Sequence, residues 1–315
     1  MTQDSPSQHD SPHPNGVAKT AASASDWPHA PRRLPQICHT MRRKVMAFLD
    51  EDLPEDNGVL RSTQRQARVS VGVIEEALRR YGTEGLSLSY NGGKDCLVLL
   101  VLILACLPGP PISTASPSSP EAAVADATAA ADPSKESPAP RYPPVDPRSL
   151  PSWKNPQKCL QAIYIAPPDP FPEVEDFVKS TTRQYNLDLA RYPVPMRPAL
   201  EAYLGDRPGV KAIFMGTRRT DPHSEFLEHF TPTDADWPQF MRVNPIIDWH
   251  YAEIWAFIRK LGIPYCSLYS RGFTSLGGMN NTRPNPALAL GGETDKFRPA
   301  HELVRDDEER LGRDR

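Results

Sequence analysis

The chain has 315 residues, with 36 basic against 39 acidic side chains and a net charge of −3, so bulk electrostatics exclude nucleic acid as its main partner. Its longest apolar run, Leu97 to Leu107, falls well short of the ~20 residues that a membrane span requires. Five cysteines (Cys38, Cys96, Cys106, Cys159 and Cys266) form no CxxC pair; without a secretory N-terminus, the expectation is reduced thiols in a cytoplasmic monomer that works on small molecules.

Residues 1–35 are rich in Ser, Pro, His, Asp and Ala without apolar periodicity and read as a disordered tail. Helices are expected at 36–50 and 61–81; in the second, Val69, Val73, Ile74 and Leu78 recur at helical spacing, and Tyr81-Gly82 ends it. Leu86 to Tyr90 alternates as a strand, Asn91-Gly92-Gly93 is a turn, and from Asp95 the chain is apolar on every side, which predicts a buried helix. A Pro/Ala/Ser segment at 108–155 reads as a low-complexity loop interrupting a single domain of residues 36–315.

After it, strands are expected at 161–166, 187–192 and 210–215, with helices at 172–185 and 197–204. Phe240 to Trp249 reads as a strand running into a helix with Asp248 as its N-cap, and Gly262 with Pro264 stops that helix. Past Tyr265 the chain is irregular and glycine-rich. Alternating strands and helices predict an α/β fold, a Rossmann-like, mostly parallel sheet with helices on both faces and an irregular C-terminal extension.

Strand, glycine turn and buried helix together make an anion site, because the turn amides and the helix N-terminus point partial positive charge at one spot. Lys94 adds a full charge there. The four residues Gly92-Gly93-Lys94-Asp95 are weak evidence alone, since an ordinary strand-to-helix connection with an acidic first turn has the same composition. The run Gly216-Thr-Arg-Arg-Thr-Asp221 also follows a strand. In parallel sheets ligands collect beyond the carboxyl ends of strands, so both runs should converge on one rim.

Four blocks carry a closer likeness: Ser89-Tyr-Asn-Gly-Gly-Lys-Asp-Cys96, Gly216-Thr-Arg-Arg-Thr-Asp-Pro222, Arg242-Val-Asn-Pro-Ile-Ile-Asp-Trp249 and Phe273-Thr-Ser-Leu-Gly277. From about Cys38 to Arg313, apart from 108–155, the chain resembles the eukaryotic FMN adenylyltransferase (FAD synthase) family, in the phosphoadenylyl-sulfate-reductase-like branch of the PP-loop ATP pyrophosphatases. Asn91 and Cys96 stand where the wider Ser-Gly-Gly-x-Asp-Ser pattern has serines, and His223-Ser224 departs from the family's usual aromatic or His followed by Gly.

The resemblance implies the last step of FAD biosynthesis, ATP + FMN → FAD + pyrophosphate, with Mg²⁺. It places ATP against Ser89, Tyr90, Asn91, Gly92, Gly93 and Lys94, with Asn91 donating to the α-phosphate and Asp95 holding the metal. It places flavin against Arg218, Asp221, Asp248 and Trp249, and promotes Arg310 and Arg313 of the C-terminal Arg-x-x-Arg from charged tail to phosphate ligands. On the residues alone, Asp221 also reads as a turn residue before Pro222, Arg218 as a surface ion-pair partner, and Trp249 as core or flavin stack. FMN supplies the attacking oxygen, so Cys96 reads as a small core residue. His223 and His250 have no metal-ligand spacing around them.

Two rivals share the nucleotide site. A reductase of phosphoadenylyl sulfate needs a cysteine in its C-terminal tail, and residues 267–315 contain none. A non-catalytic nucleotide-binding module would have little need of Lys94 and Asp95.

Overall fold

The computed structural model describes residues 33–107, 159–291 and 296–314. The expected tail and the 108–155 loop therefore lie outside the described residues, apart from 33–35. Order begins with helix α1, Leu34–Asp50, and α2, Gly58–Tyr81, follows. Asn57 caps α2 by accepting from the Leu60 amide at 3.3 Å, and Gly82, at φ 64°, ends it by donating to the Leu78 carbonyl at 2.9 Å.

Strand β1 (Leu86–Ser89) runs through the turn into α3 (Lys94–Cys106), and β2 (Leu160–Ile165), α4 (Pro172–Gln184), β3 (Leu187–Tyr192), α5 (Met196–Asp206) and β4 (Ala212–Phe214) come next. The chain then forms β5 (Phe230–Pro232), β6 (Met241–Val243) and α6 (Tyr251–Lys260). The sheet order is β3-β2-β1-β4-β6-β5, parallel throughout except for the antiparallel β5–β6 pair. No described helix is long and apolar enough to cross a membrane.

Period-two alternation divides the core into two layers. Ala162, Tyr164, Ala212 and Phe214 face the larger cluster, which α1, α2, α3, α4 and α6 cover. Ile163 and Ile213 face the other side, where Leu200 and Tyr203 of α5 pack on them. Helix α3 lies inside the larger layer: Cys96 and every residue from Leu97 to Cys106 are buried. A buried helix end leaves carbonyls without water, and Arg42 supplies the donors, to Ala105 at 2.8 Å and to Leu107.

Two expectations change here. The last helix starts at Tyr251, not at Trp249, and its N-cap is His250, whose amide donates to Glu253 at 2.8 Å; Asp248 is exposed and lies two residues outside the cap. The edge strand β5 has no apolar alternation to announce it, because it is short and half-exposed.

Successive strands are laid down outward on one side of β1, as β2 and β3, before the chain returns across the sheet to β4 on the other. The reversal between β1 and β4 brings the loops after both strands together. The approach is close: a Cβ on Gly216 would lie 2.9 Å from the Cys96 amide nitrogen, at the first turn of α3. Gly216→Ala should lose about 1–3 kcal/mol of stability, because backbone cannot step aside for the methyl. Gly205→Ala in α5, where the methyl meets open space, should be neutral or gain a few tenths of a kcal/mol. Urea melts of the two variants measure the contrast.

Candidate active site

The site starts at the end of β1. Tyr90 extends the pairing, its amide donating to Ile163 at 2.9 Å, and its fully buried hydroxyl donates to Thr181 at 2.9 Å. The Tyr90 side chain is therefore core. Ser89 is half-buried beside it, and the first residue to reach solvent is Asn91.

Asn91 holds its own loop. Its Oδ1 accepts from the Gly93 amide at 2.9 Å and from the Cys96 thiol at 2.9 Å. Both partners are donors, so the carboxamide oxygen is turned inward and the Nδ2 group, with two hydrogens to give, faces out. Gly92 makes the turn at φ 74°, and a Cβ there would also meet Val178 at 2.8 Å. The Gly93 amide, expected to face a phosphate, is already taken by Asn91. Burial pushes the Cys96 thiol up to about 12, so it remains protonated and serves as a donor, not a nucleophile.

Lys94 begins α3 and is 2% exposed. Its amide donates to the Tyr269 hydroxyl at 2.8 Å. Its ammonium group points into the protein, 2.9 Å from Asp95 Oδ2 and 2.5 Å from Glu309 Oε1, over the Tyr251 ring at 5.1 Å. Arg218, expected on the flavin or in a surface ion pair, is fully buried: Nε lies 2.8 Å from Asp95 Oδ1, one terminal nitrogen pairs with Glu309, and the other is 3.7 Å from Asp306. Two cations, Asp95 and Glu309 from the loops after β1 and β4 and from the C-terminal segment thus form one cluster, with Asp306 as a third carboxylate at its edge. Burial raises the carboxyl pKa of Asp95, but Arg218 and Lys94 outweigh it and hold it below its ordinary value. Burial likewise opposes the charge on Lys94, while Asp95 and then Glu309 raise its pKa above the ordinary lysine value.

Asp221 closes the turn after β4: its Oδ2 accepts from the Arg218 amide at 2.9 Å, and its own amide donates to the Arg218 carbonyl at 2.9 Å. It sits half-buried on the same rim as Asp95, linked to it through Arg218. Asp248 is joined to that loop by Arg219, 2.7 Å away, and both are exposed. Trp249 is not brought to the rim. It is 1% exposed, its indole donates to Ser70 at 2.9 Å, and it packs edge-on against Phe257, so a flavin ring has no face of it to stack on.

Arg310 is exposed and Arg313 half-buried at the end of the C-terminal segment. The Arg313 guanidinium lies against Gly277, where any side chain would collide with it, and its buried Nε has no hydrogen-bond partner. Burial, and then the neighbouring Arg310, lower the Arg313 pKa; an anion between the two arginines would relieve both effects. Gly277 and Asn91 share the lining of an apolar cleft of about 390 Å³, walled by Tyr164, Phe171, Val194 and Met196 at the carboxyl ends of β2 and β3. That is ample for a planar ring system.

The residues not anticipated are Glu309, Tyr269, Thr274 and Asn285. Glu309 lies in the run Asp306-Asp-Glu-Glu-Arg310, whose composition signals a solvated surface. Thr274 and Asn285 fall in the irregular stretch, where no periodicity marks burial.

Removing Lys94 leaves Asp95 and Glu309 sharing one cation. Lys94→Met should therefore lose ~3–5 kcal/mol, against a few tenths for Lys211→Met at an exposed position. The depressed pKa of Asp95 contributes stability above its ordinary value of 3.8 that is lost as the pH falls through the folded value. Without Lys94 that folded value rises and less stability is held in reserve, so the acid-unfolding midpoint should move to higher pH.

Comparison with known proteins gives these features a family. Residues 193–284 match the family model described as the phosphoadenosine phosphosulfate reductase domain. The chain is 35% identical over 250 residues to the probable FAD synthase of Schizosaccharomyces pombe, covering 79% of each chain. It is 33% identical over 246 residues to the probable FAD synthase of Caenorhabditis elegans, matching 76% of this chain and 39% of that longer one. The crystal structure of Candida glabrata FMN adenylyltransferase in complex with FAD and inorganic pyrophosphate superposes with a TM-score of 0.73 at 27% identity, covering 91% of this chain and 99% of that one. With its sheet order, its paired strand-end loops and this extent of identity, the chain belongs to the FAD synthase family.

Proposed function

We propose that this protein transfers AMP from ATP to the phosphate of FMN, releasing pyrophosphate and forming FAD. The observation that carries the reading is the outward-turned Nδ2 of Asn91 at the mouth of an apolar cleft whose opposite lip, Gly277, carries Arg313. The FMN phosphate oxygen attacks the α-phosphorus, the bond to the bridging oxygen breaks, and pyrophosphate leaves with the electron pair. Two anions must meet, so charge has to be neutralised and both reactants held in line.

Asn91 donates to the α-phosphate, where charge shifts as the bond breaks. The N-terminus of α3 faces the leaving pyrophosphate. Arg310 and Arg313 hold the flavin phosphate, Arg313 with the fork geometry that suits it. Asp221 and Asp248 border the flavin side of the rim. Lys94 and Arg218 act from beneath, by fixing Asp95.

A hard cation prefers carboxylate and phosphate oxygens; Asp95 Oδ2 faces Lys94 and Oδ1 faces Arg218 Nε, one protein cation each, and a carboxylate oxygen has a second lone pair to give. Among the described residues no group of three or more His, Cys, Asp or Glu could hold a metal ion by itself; Asp95, with triphosphate oxygens, fits Mg²⁺. When bound, the ion would offset the negative charge of the triphosphate. The five cysteines are free and the net charge is −3, which suits a cytoplasmic monomer on small substrates.

The reductase reading lacks a thiol. Cys266, the last cysteine, is buried and pushed up to about 11 by that burial.

Incubation with ATP, FMN and Mg²⁺ should produce FAD and pyrophosphate one for one, and a chelator should stop it; FMN left unchanged while adenylyl sulfate is reduced would replace the proposal. Asn91→Ala should lower kcat ~10²-fold while ATP affinity changes less than ~3-fold. Equal losses would mean that Asn91 only grips the ground state. Gly277→Ala should displace the Arg313 guanidinium, a flexible end, with a Tm shift of under about 2 °C but a KM for FMN several-fold higher; an unchanged KM would remove Arg313 from the flavin phosphate.

A further inference from the structure

One buried carboxylate has no part in the transfer itself. Glu309 is 5% exposed, and its two oxygens bind Lys94 and Arg218. Its backbone is held as well. The Thr274 hydroxyl donates to the Glu309 carbonyl at 2.6 Å, and Asn285 Nδ2 donates to the Glu308 carbonyl at 2.7 Å and to Thr274 Oγ1 at 2.8 Å. Arg283 donates its amide to Gly312 at 2.7 Å. The C-terminal segment, which has only short 3-10 turns of its own, is therefore pinned to the rim by the Glu309 side chain and to the irregular stretch at 274–285 by the other bonds.

The stoichiometry of the cluster needs Glu309. Lys94 and Arg218 bring two positive charges to Asp95, which supplies one negative; Glu309, which contacts both cations, balances the second, while Asp306 reaches only Arg218, at 3.7 Å. A buried carboxylate is a poor device for bulk stability, since apolar packing would serve as well, but it is a good device for registry, because only one placement satisfies both oxygens. Arg310 follows it directly, and Arg313, four residues on, ends at the cleft against Gly277.

We propose that Glu309 is a positioning residue: by binding Lys94 and Arg218 it latches the C-terminal arm onto the loops after β1 and β4 and so sets Arg310 and Arg313 at the mouth of the cleft. The assignment of those arginines to the flavin phosphate rests on the FAD synthase reading; the latch does not. It also gives Lys94 a role its burial allows, as the socket for the arm.

The test is a double-mutant cycle with Glu309→Gln and Arg313→Ala, read by fluorescence titration of FMN and by titration of ATP. Each single variant should weaken FMN binding about tenfold, the double variant no more than the worse single, and ATP affinity should move less than ~3-fold. Multiplying effects, or equal losses for ATP and FMN, would overturn the proposal by making Glu309 a general structural brace. Thr274→Val keeps every charge of the cluster while releasing the arm's backbone, and should reproduce the FMN loss even where Glu309→Gln fails to fold; normal FMN binding in it would count against the latch. Hydrogen exchange decides independently of activity. Faster exchange at the Leu311 and Arg313 amides in Glu309→Gln supports the latch, and unchanged exchange sinks it. Wild-type protein that forms no FAD would remove the functional reading and leave this exchange result standing.

Discussion

Asp95, Lys94, Arg218 and Glu309 meet in a volume from which water is largely excluded, and they come from three stretches that the chain order keeps far apart. Such a cluster is only weakly stabilising as a whole, because each ion loses its hydration on entering it. Its strength lies in intolerance. Any one member removed leaves a charge without its partner, so the loops after β1 and β4 and the C-terminal arm are fixed together or not at all. The candidate site is built on that condition: Asp95 sits in the first turn of α3, Arg218 carries the Asp221 turn, and Glu309 leads into the two arginines.

Asn91 is the exposed residue of the turn that leads into this cluster, and the physics of its amide separates it from the serine of the wider pattern. A serine hydroxyl would have to donate to a phosphate and accept from the loop through one oxygen. Asn91 divides the two tasks between two atoms. Its Oδ1 is consumed by the Gly93 amide and the Cys96 thiol, which leaves Nδ2 as a donor that cannot flip away. Cys96 is the companion change, since a thiol buried and protonated is a weak donor of suitable length that fills an apolar gap.

Much of this was legible in the residues. The strand, glycine turn and all-apolar helix from Leu86 to Cys106 could be placed because burial on every side has a plain compositional signature, and Gly216 marked the second loop because it ends an apolar strand. The reason for the glycine, a backbone-to-backbone approach to Cys96, is tertiary and could not be read. Lys94 and Arg218 are expected to face substrate, and both side chains instead turn inward to the buried cluster. A lysine beside a glycine turn looks like a phosphate ligand until Glu309 appears opposite it, and Glu309 sits in an acidic run that local composition assigns to solvent. Trp249 shows the converse, an aromatic residue beside a rim motif whose partner, Ser70, lies on a helix laid down long before it. Asp248 had the chemistry of an N-cap, but His250 and Glu253 form the capping pair instead.

The arm also explains how a site made of two strand-end loops becomes a cleft. The loops alone form an open rim, with Asn91 on one side and the wall of Phe171, Val194 and Met196 on the other. Gly277 supplies the remaining lip, and a side chain there would push the Arg313 guanidinium out of the space it occupies. That guanidinium is held by packing and not by a carboxylate, with a buried Nε lacking any protein acceptor and Arg310 pressing on it electrostatically. A half-buried cation kept near a like charge, with Asp314 only a smaller counterweight, is stabilised by an anion that arrives. Glu309 satisfies the cations beneath the floor of the site, so those at its mouth are left for the substrate.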